Sequence, residues 1–321
     1  MKKRMKYAAV VMAAMLLSGC GVEVNERVFV NSVYVDETSG GVFLAAEYSD
    51  GENSEVKTSA GENIVGAVEN LSDMLGKDVF FGHCKAVFLS ENTSGLYDKT
   101  KYFLVDGRIA GDAIVCVCPD EGILYADNLG TFSEVAAKAT DEGKIPDGRI
   151  IPVTATLNSD EKTALLPLAT VRDGSISLCG GGVFVDGKFS TLLSDDETTG
   201  AAILGGSAKN IVIDEGGAHI NAEICDVSQE TANSRNGAVM RVKIKVKGNA
   251  SGVDEAEADR ICEEKINNCI MSAVMRAKRE NADFVGCRMM SGKNGGDNAC
   301  GIADTRYSIS SECDIQCEGK Y

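Results

Sequence analysis

The chain has no tryptophan, two histidines and four prolines among its 321 residues. His83 and His219 alone offer little material for imidazole metal sites or for Ser-His catalysis, which needs a nucleophile, a base and an orienting partner together. The lack of tryptophan weakens any reading as a sugar-stacking protein. Few prolines, with 44% hydrophobic and 25% charged residues, exclude a disordered chain and fit a globular one. Cations are also scarce: 32 Lys and Arg face 48 Asp and Glu, a net charge of −16. Four of the cations (Lys2, Lys3, Arg4, Lys6) lie in the first 19 residues, so the remainder carries 28 against 48, or −20. A body this acidic is a poor partner for nucleic acid and is repelled by anionic headgroups. There is no G-x-S-x-G, no H-E-x-x-H and no calcium loop. Gly180-Gly181-Gly182 and Gly205-Gly206 lack the pattern of a phosphate cradle and read as turns. No catalytic set and no cofactor site emerge, so the chain reads as a non-enzyme.

What is present begins with an address. Residues 1–20 read MKKRMKYAAVVMAAMLLSGC. A basic start and a short apolar stretch fit a secretory signal peptide, not a membrane span of about 20 residues. Leu17-Ser18-Gly19-Cys20 matches a bacterial lipobox, which predicts removal of residues 1–19 and a diacylglyceryl group on Cys20. Two acyl chains (palmitate-like), at about 0.8 kcal/mol per buried methylene, anchor stably where one does not. No later apolar run is long enough to span a bilayer, so the expectation is a protein tethered to a membrane on its extracytoplasmic face.

The body predicts an α/β (α+β) fold, with mixed and antiparallel sheets packed by helices. Alternation marks strands at 27–36 and 41–49, joined as a hairpin, whereas 50–60 is polar and reads as a loop. Helical spacing of Ile64, Val65, Val68, Leu71 and Leu75 predicts a helix over 61–76, stopped by Gly76. Further strands are expected at 85–90, 113–118, 165–171, 175–178, 181–185 and 211–213. Helices are expected at 96–105, 121–128, 132–140 and 195–204. Residues 149–156, rich in β-branched side chains, read as extended. Two long alternating strands, 218–227 and 237–247, precede the clearest element, a long amphipathic helix over 254–280. Its apolar stripe is Ala258, Ile261, Cys262, Ile266, Cys269, Ile270, Ala273, Val274 and Ala277, with acids on the other face and in the first turns. A last strand is expected at 306–316. Element content restarts near 160–175, which divides the body into domains 20–165 and 175–321.

Twelve cysteines are the oddity of the composition. Setting Cys20 aside leaves an odd number, which argues against a fully paired framework. Cys262 and Cys269 fall on the helix stripe as core residues. Cys116 and Cys118 share one strand face, and Cys313 and Cys317 share another. These two pairs could in principle build a four-sulfur zinc site, but the spacing is not that of zinc knuckles and no histidine supports it, so no metal is expected. Disulfides suit an exported protein, and free thiols equally suit a reducing niche.

The order of elements resembles the Ger(x)C family, the lipoprotein C subunits of spore nutrient-germinant receptors. The lipobox followed by a strand ending at Asp36 is one part of the likeness. The most specific part is 66–92, GAVENLSDMLGKDVFFGHCKAVFLSEN, where Ala67, Asn70, Leu71, Ser72, Phe80, Phe81, His83 and Lys85 fill the family's A-x-x-N-L-S and F-F-x-H-x-K places. Val183-Phe184, Gly187-Lys188 and Leu192-Leu193 match a segment opening its C-terminal domain. Ala282-Asp283-Phe284-Val285-Gly286 matches the exit from its last helix, with Asp283 and Gly286 in the family's Asp and Gly places. The family's Trp-Asp after the lipid Cys is replaced here by Gly21-Val22.

The resemblance implies an accessory subunit, not an enzyme, working beside an A-type membrane protein and a B-type transporter-like membrane protein in nutrient-triggered germination after sporulation. It implies the spore inner membrane as location. Asn70, Leu71, Phe81, His83, Lys85, Asp283 and Gly286 are expected in structural roles, and Cys20 as the lipidation site. A different class stays open from the residues alone: an extracytoplasmic substrate-binding lipoprotein feeding a membrane transporter.

Overall fold

The computed structural model describes residues 26–50, 53–159, 162–234, 237–286 and 302–317. The signal segment and Cys20 lie outside them. The described residues form a nine-stranded sheet and a four-stranded sheet, with six α-helices.

The larger sheet is built around β1 (Arg27–Thr38). On one side β1 pairs antiparallel with β2 (Gly41–Asp50), which pairs with β3 (Asn53–Gly61). On the other it pairs parallel with β4 (Asp78–Phe80) and then with β5 (Ala86–Leu89). A bulge between Val30 and Ser32 separates these two partners. The sheet continues through β6 (Ile114–Val117), β7 (Thr163–Arg172), β8 (Ser175–Val185) and β9 (Lys188–Leu193). The β6–β7 junction rests on the single register pair Val117↔Leu168. The 165–175 boundary thus falls in the β7–β8 hairpin of this sheet.

Both faces of the sheet are covered. Val87, Leu89, Val115 and Val117 point to one side, against α1 (Ile64–Leu75), α2 (Leu96–Val105) and α4 (Ile150–Leu157). Ala86, Phe88, Cys116 and Cys118 point to the other, against the turn Glu121–Tyr125 and α3 (Phe132–Asp141). Strands buried on both faces read as unbroken apolar runs, as β5 (AVFL) and β6 (IVCV) do.

Among the described residues the smaller sheet, β10 (Asn210–Glu215), β11 (Ala218–Ser234), β12 (Gly237–Ser251) and β13 (Arg306–Cys317), is covered on one face only. Its strands are antiparallel except β13, which joins β12 in parallel. Helices α5 (Asp195–Leu204) and α6 (Glu255–Glu280) cover the inner face. All nine stripe residues of α6 are buried. Asp254 caps its start and left-handed Asn281 its end. A complete capping box, Ser194 with Glu197, starts α5. The two helices touch backbone to backbone at Gly200, where a Cβ would lie 2.1 Å from the Cys269 carbonyl oxygen.

Three expectations fail for physical reasons. The polar stretch expected as a loop is the edge strand β3, whose side chains are mostly exposed and so show little apolar alternation. Residues 150–157 are helical: Ile150, Val153 and Leu157 recur at helical spacing, and Pro152 sits in the first turn, where its missing N–H costs nothing. Gly180-Gly181-Gly182 is not a turn but the middle of β8, where a Cβ at Gly182 would come within 2.6 Å of Val117. The cysteine pairs do not converge, since Cys116 and Cys118 lie in one core and Cys313 and Cys317 against another.

Candidate functional site

The most specific sequence motif crosses from α1 to β5 and splits its side chains between two faces. Asn63 caps the start of α1, and Gly76 (φ 62°) ends it. Leu71 is fully buried in the core beneath α1. Asn70 is exposed at its side chain, yet its amide donates to the Ala60 carbonyl at 2.7 Å and ties α1 to β3. After β4 the chain makes a tight turn, with Cys84 N–H donating to Phe81 C=O at 2.8 Å. Phe81 points inward and meets Phe103 edge-on at 5.3 Å. Cys84 is fully buried, and burial pushes its thiol up to about 12. Phe80 and His83 point the other way, and the exposed His83 ring lies 5.0 Å from Phe29. The β1 bulge leaves the Asn31 carbonyl free to accept from Lys85 N–H at 2.8 Å. The Lys85 ammonium is exposed and 3.7 Å from Asp112.

His83 and Lys85 stand at the rim of a cleft of about 630 Å³. Its floor is Asn31, Glu47, Ser49 and Ser54 from β1, β2 and β3, and its far wall is the segment 124–133. Glu47 is only 7% exposed, which demands partners for its carboxylate. It accepts hydrogen bonds from Asn31 Nδ2 at 3.2 Å and from Ser54 Oγ. Asn31 also donates to Ser49 Oγ at 2.8 Å. The arrangement can hold a small polar group by hydrogen bonds and opposite charges. It brings no nucleophile to a base. Among the described residues no three His, Cys, Asp or Glu side chains gather to hold a metal ion.

A second polar cluster closes the opposite end of β1. Asp36 accepts from Ser90 Oγ and from Asn92 Nδ2 at 3.3 Å. Next to it the nearly buried Lys99 ammonium donates to Glu37 and to the Ser94 carbonyl. Ser94 donates to Glu37 from both its N–H (3.1 Å) and its hydroxyl (2.6 Å). Desolvation works to raise the Glu37 carboxyl, but the hydrogen bonds from Lys99 and Ser94 outweigh it and hold the group below its ordinary value. Every partner is spoken for, so this cluster fastens α2 to β1.

The remaining motif residues lie in the other half. Asp283 is buried just after α6, and Gly286 takes a left-handed φ of 74°. Phe284 and Ala282 pack with Val183 and Leu193 of β8 and β9, where the exit from α6 meets the larger sheet. Cys20 falls outside the described residues. Sequence reasoning missed Glu47, although an acid inside the apolar run of β2 (GVFLAAEYSD) was a signal for a buried polar contact.

The comparisons with known proteins agree with the motif. Residues 21–171 match the family described as spore germination protein N-terminal domain. The crystal structure of the GerBC protein shares the fold, with a TM-score of 0.58 over 88% of this chain and 96% of that one, at 15% identity. No curated protein matches the sequence. Residues 21–171 thus carry a spore germination protein N-terminal domain, and the chain shares the GerBC fold across most of its length, in keeping with the resemblance to the Ger(x)C family.

Proposed function

We propose that this protein is the lipid-anchored, non-enzymatic C subunit of a nutrient germinant receptor. The observation that carries the reading is the germination domain over residues 21–171. The lipobox ending at Cys20 supports the anchor. So does charge: 28 cations against 48 acids after residue 19 would keep an untethered body off an anionic membrane. Among the described residues no helix is long and apolar enough to cross a bilayer. Two acyl chains on Cys20 confine the body to the extracytoplasmic face of the spore inner membrane, which raises its effective concentration beside membrane partners. There it docks on the A-type and B-type integral membrane subunits and stabilises their triggered assembly. The test is loss of optical density in spores of a deletion strain across a panel of nutrients. Loss of response to one nutrient class, with a normal response to non-nutrient triggers, is expected. A normal response to every nutrient, in a strain also lacking its paralogues, would refute the role.

The cleft floored by Glu47 favours a second reading, a lipoprotein that binds a small polar solute and feeds a transporter. That reading requires a solute to raise the melting temperature of the body, and Glu47→Gln to abolish the rise.

A further inference from the structure

The edge strand β13 lies along α6 in a register that brings two thiols together. Ile315 N–H donates to Asp259 Oδ1 at 2.9 Å, and Ser311 Oγ donates to Asn267 Oδ1 at 3.2 Å. Four strand residues span about 13 Å, and the eight helix residues between the same contacts span about 12 Å. The elements therefore run antiparallel and in step. Midway on the strand, on the face shared by Ser311 and Ile315, is Cys313. Near the midpoint on the helix, turned towards the sheet, is the fully buried Cys262. The two side chains are hydrogen-bonded to each other. By contrast Cys84, Cys118, Cys225 and Cys317 direct their thiols to backbone carbonyls.

We propose that Cys262 and Cys313 are a disulfide-forming pair that staples β13 to α6, made by exchange with a low-molecular-weight disulfide. Cys313 is half-buried and is the point of entry. Its thiolate attacks one sulfur of the small disulfide, forming a mixed disulfide and releasing one small thiol. The Cys262 thiolate then attacks the Cys313 sulfur and releases the second. Two protein S–H bonds become one S–S bond, and the two electrons reduce the reagent to two thiols. The hydrogen bond to Cys262, then burial, and then the nearby acids Glu263 and Asp259 hold the folded Cys313 thiol protonated. Exchange is therefore slow once this half has closed, and the bond forms as the chain folds. It closes a loop of about 50 residues, long enough to restrict the unfolded chain substantially. The strand it holds is an edge strand, parallel to its one neighbour among the described strands and reached only after a long connection.

The test is disulfide mapping of the full chain, refolded in glutathione disulfide, alkylated and digested with trypsin. The expected product joins residues 261–265 to residues 307–320, with fragment ions placing the bond at Cys313 and not Cys317. It disappears on reduction and in C262S and C313S, and it persists in C317S. Reduction lowers the melting temperature of the wild type by about 5 °C and leaves C262S/C313S unchanged. Alkylation of both cysteines in the refolded wild type, or a bond from Cys313 to any other cysteine, would overturn the proposal. The mapping needs no variant, so a substitution that fails to fold does not decide it.

Discussion

The two sheets of this protein solve burial differently. The N-terminal sheet is sandwiched, with helices on one face and the 121–141 segment on the other. The C-terminal sheet has α5 and α6 on its inner face and an open, polar outer face. That outer face is ordered by charge. Arg241, Lys243, Lys245 and Lys247 line the central strand β12. Glu230, Asp226 and Glu223 of β11 lie opposite Arg241, Lys245 and Lys247, and Glu312 and Asp314 of β13 flank Lys245 and Lys247. A doubly covered sheet hides its pattern in unbroken apolar runs, whereas a singly covered one displays it as alternation. Stability in the first half rests on side chains packed from both sides. In the second it rests on one helix layer and on cross-strand pairs.

The largest expected effect is in the sandwiched half. Phe81→Ala removes a buried ring between α2 and the sheet and should cost about 3–5 kcal/mol in chemical denaturation. His83→Ala, two residues on but exposed, should cost under about 0.5 kcal/mol. Equal effects would mean that this turn does not partition its side chains as described. Hydrogen exchange should show the Phe81→Ala loss in β1, β5 and β6, with β11 and β12 keeping their protection if the halves open separately.

Next comes the Lys99–Glu37 pair. Glu37→Gln strands a nearly buried ammonium and should cost about 2–3 kcal/mol at neutral pH, the low end for a buried pair because Glu37 is one-quarter exposed. The folded carboxyl titrates below its ordinary value of 4.5, so its contribution is complete above that pH and fades as pH falls through the lower folded value. The stability gap between wild type and Glu37→Gln should therefore close on acidification below the ordinary value of 4.5. A gap that widened on acidification would reverse the assignment.

In the singly covered half, Gly200→Ala forces α5 away from the Cys269 carbonyl and should cost about 1–3 kcal/mol. The loss should appear in the exchange protection of α5, α6 and β10–β12. The smallest effect is on the open face. Lys245→Ala removes one cation lying between Asp226 and Glu312 and should cost under about 1 kcal/mol, less in high salt. A loss as large as that from Phe81→Ala would mean that this face is not solvated.

The same contrast explains what could be read from the sequence. The long helix was legible to the residue along its stripe, because one buried face against one solvated face writes a period of 3.6. The strands of the C-terminal sheet were legible through the alternation of MRVKIKVK. Strand β3 was not, because an edge strand needs few apolar residues. Helix α4 was not, because β-branched residues and Pro152 weigh towards extended structure locally while burial of Ile150, Val153 and Leu157 decides otherwise. The turn carrying Phe81 and His83 was visible as a motif, but the opposite destinations of its two side chains are set by tertiary neighbours, Phe103 for one and Phe29 for the other. The floor of the cleft joins residues from three strands, and nothing local connects Asn31 with Ser54.

The central claim is that a folded, acidic body works only when it is tethered. Spores carrying Cys20→Ala test it most directly, by membrane fractionation, thermal melting and nutrient-triggered germination on the same strain. The account predicts release of the protein from the membrane fraction, an unchanged melting temperature of the body, and loss of the nutrient response. A released protein with an undiminished nutrient response would contradict it.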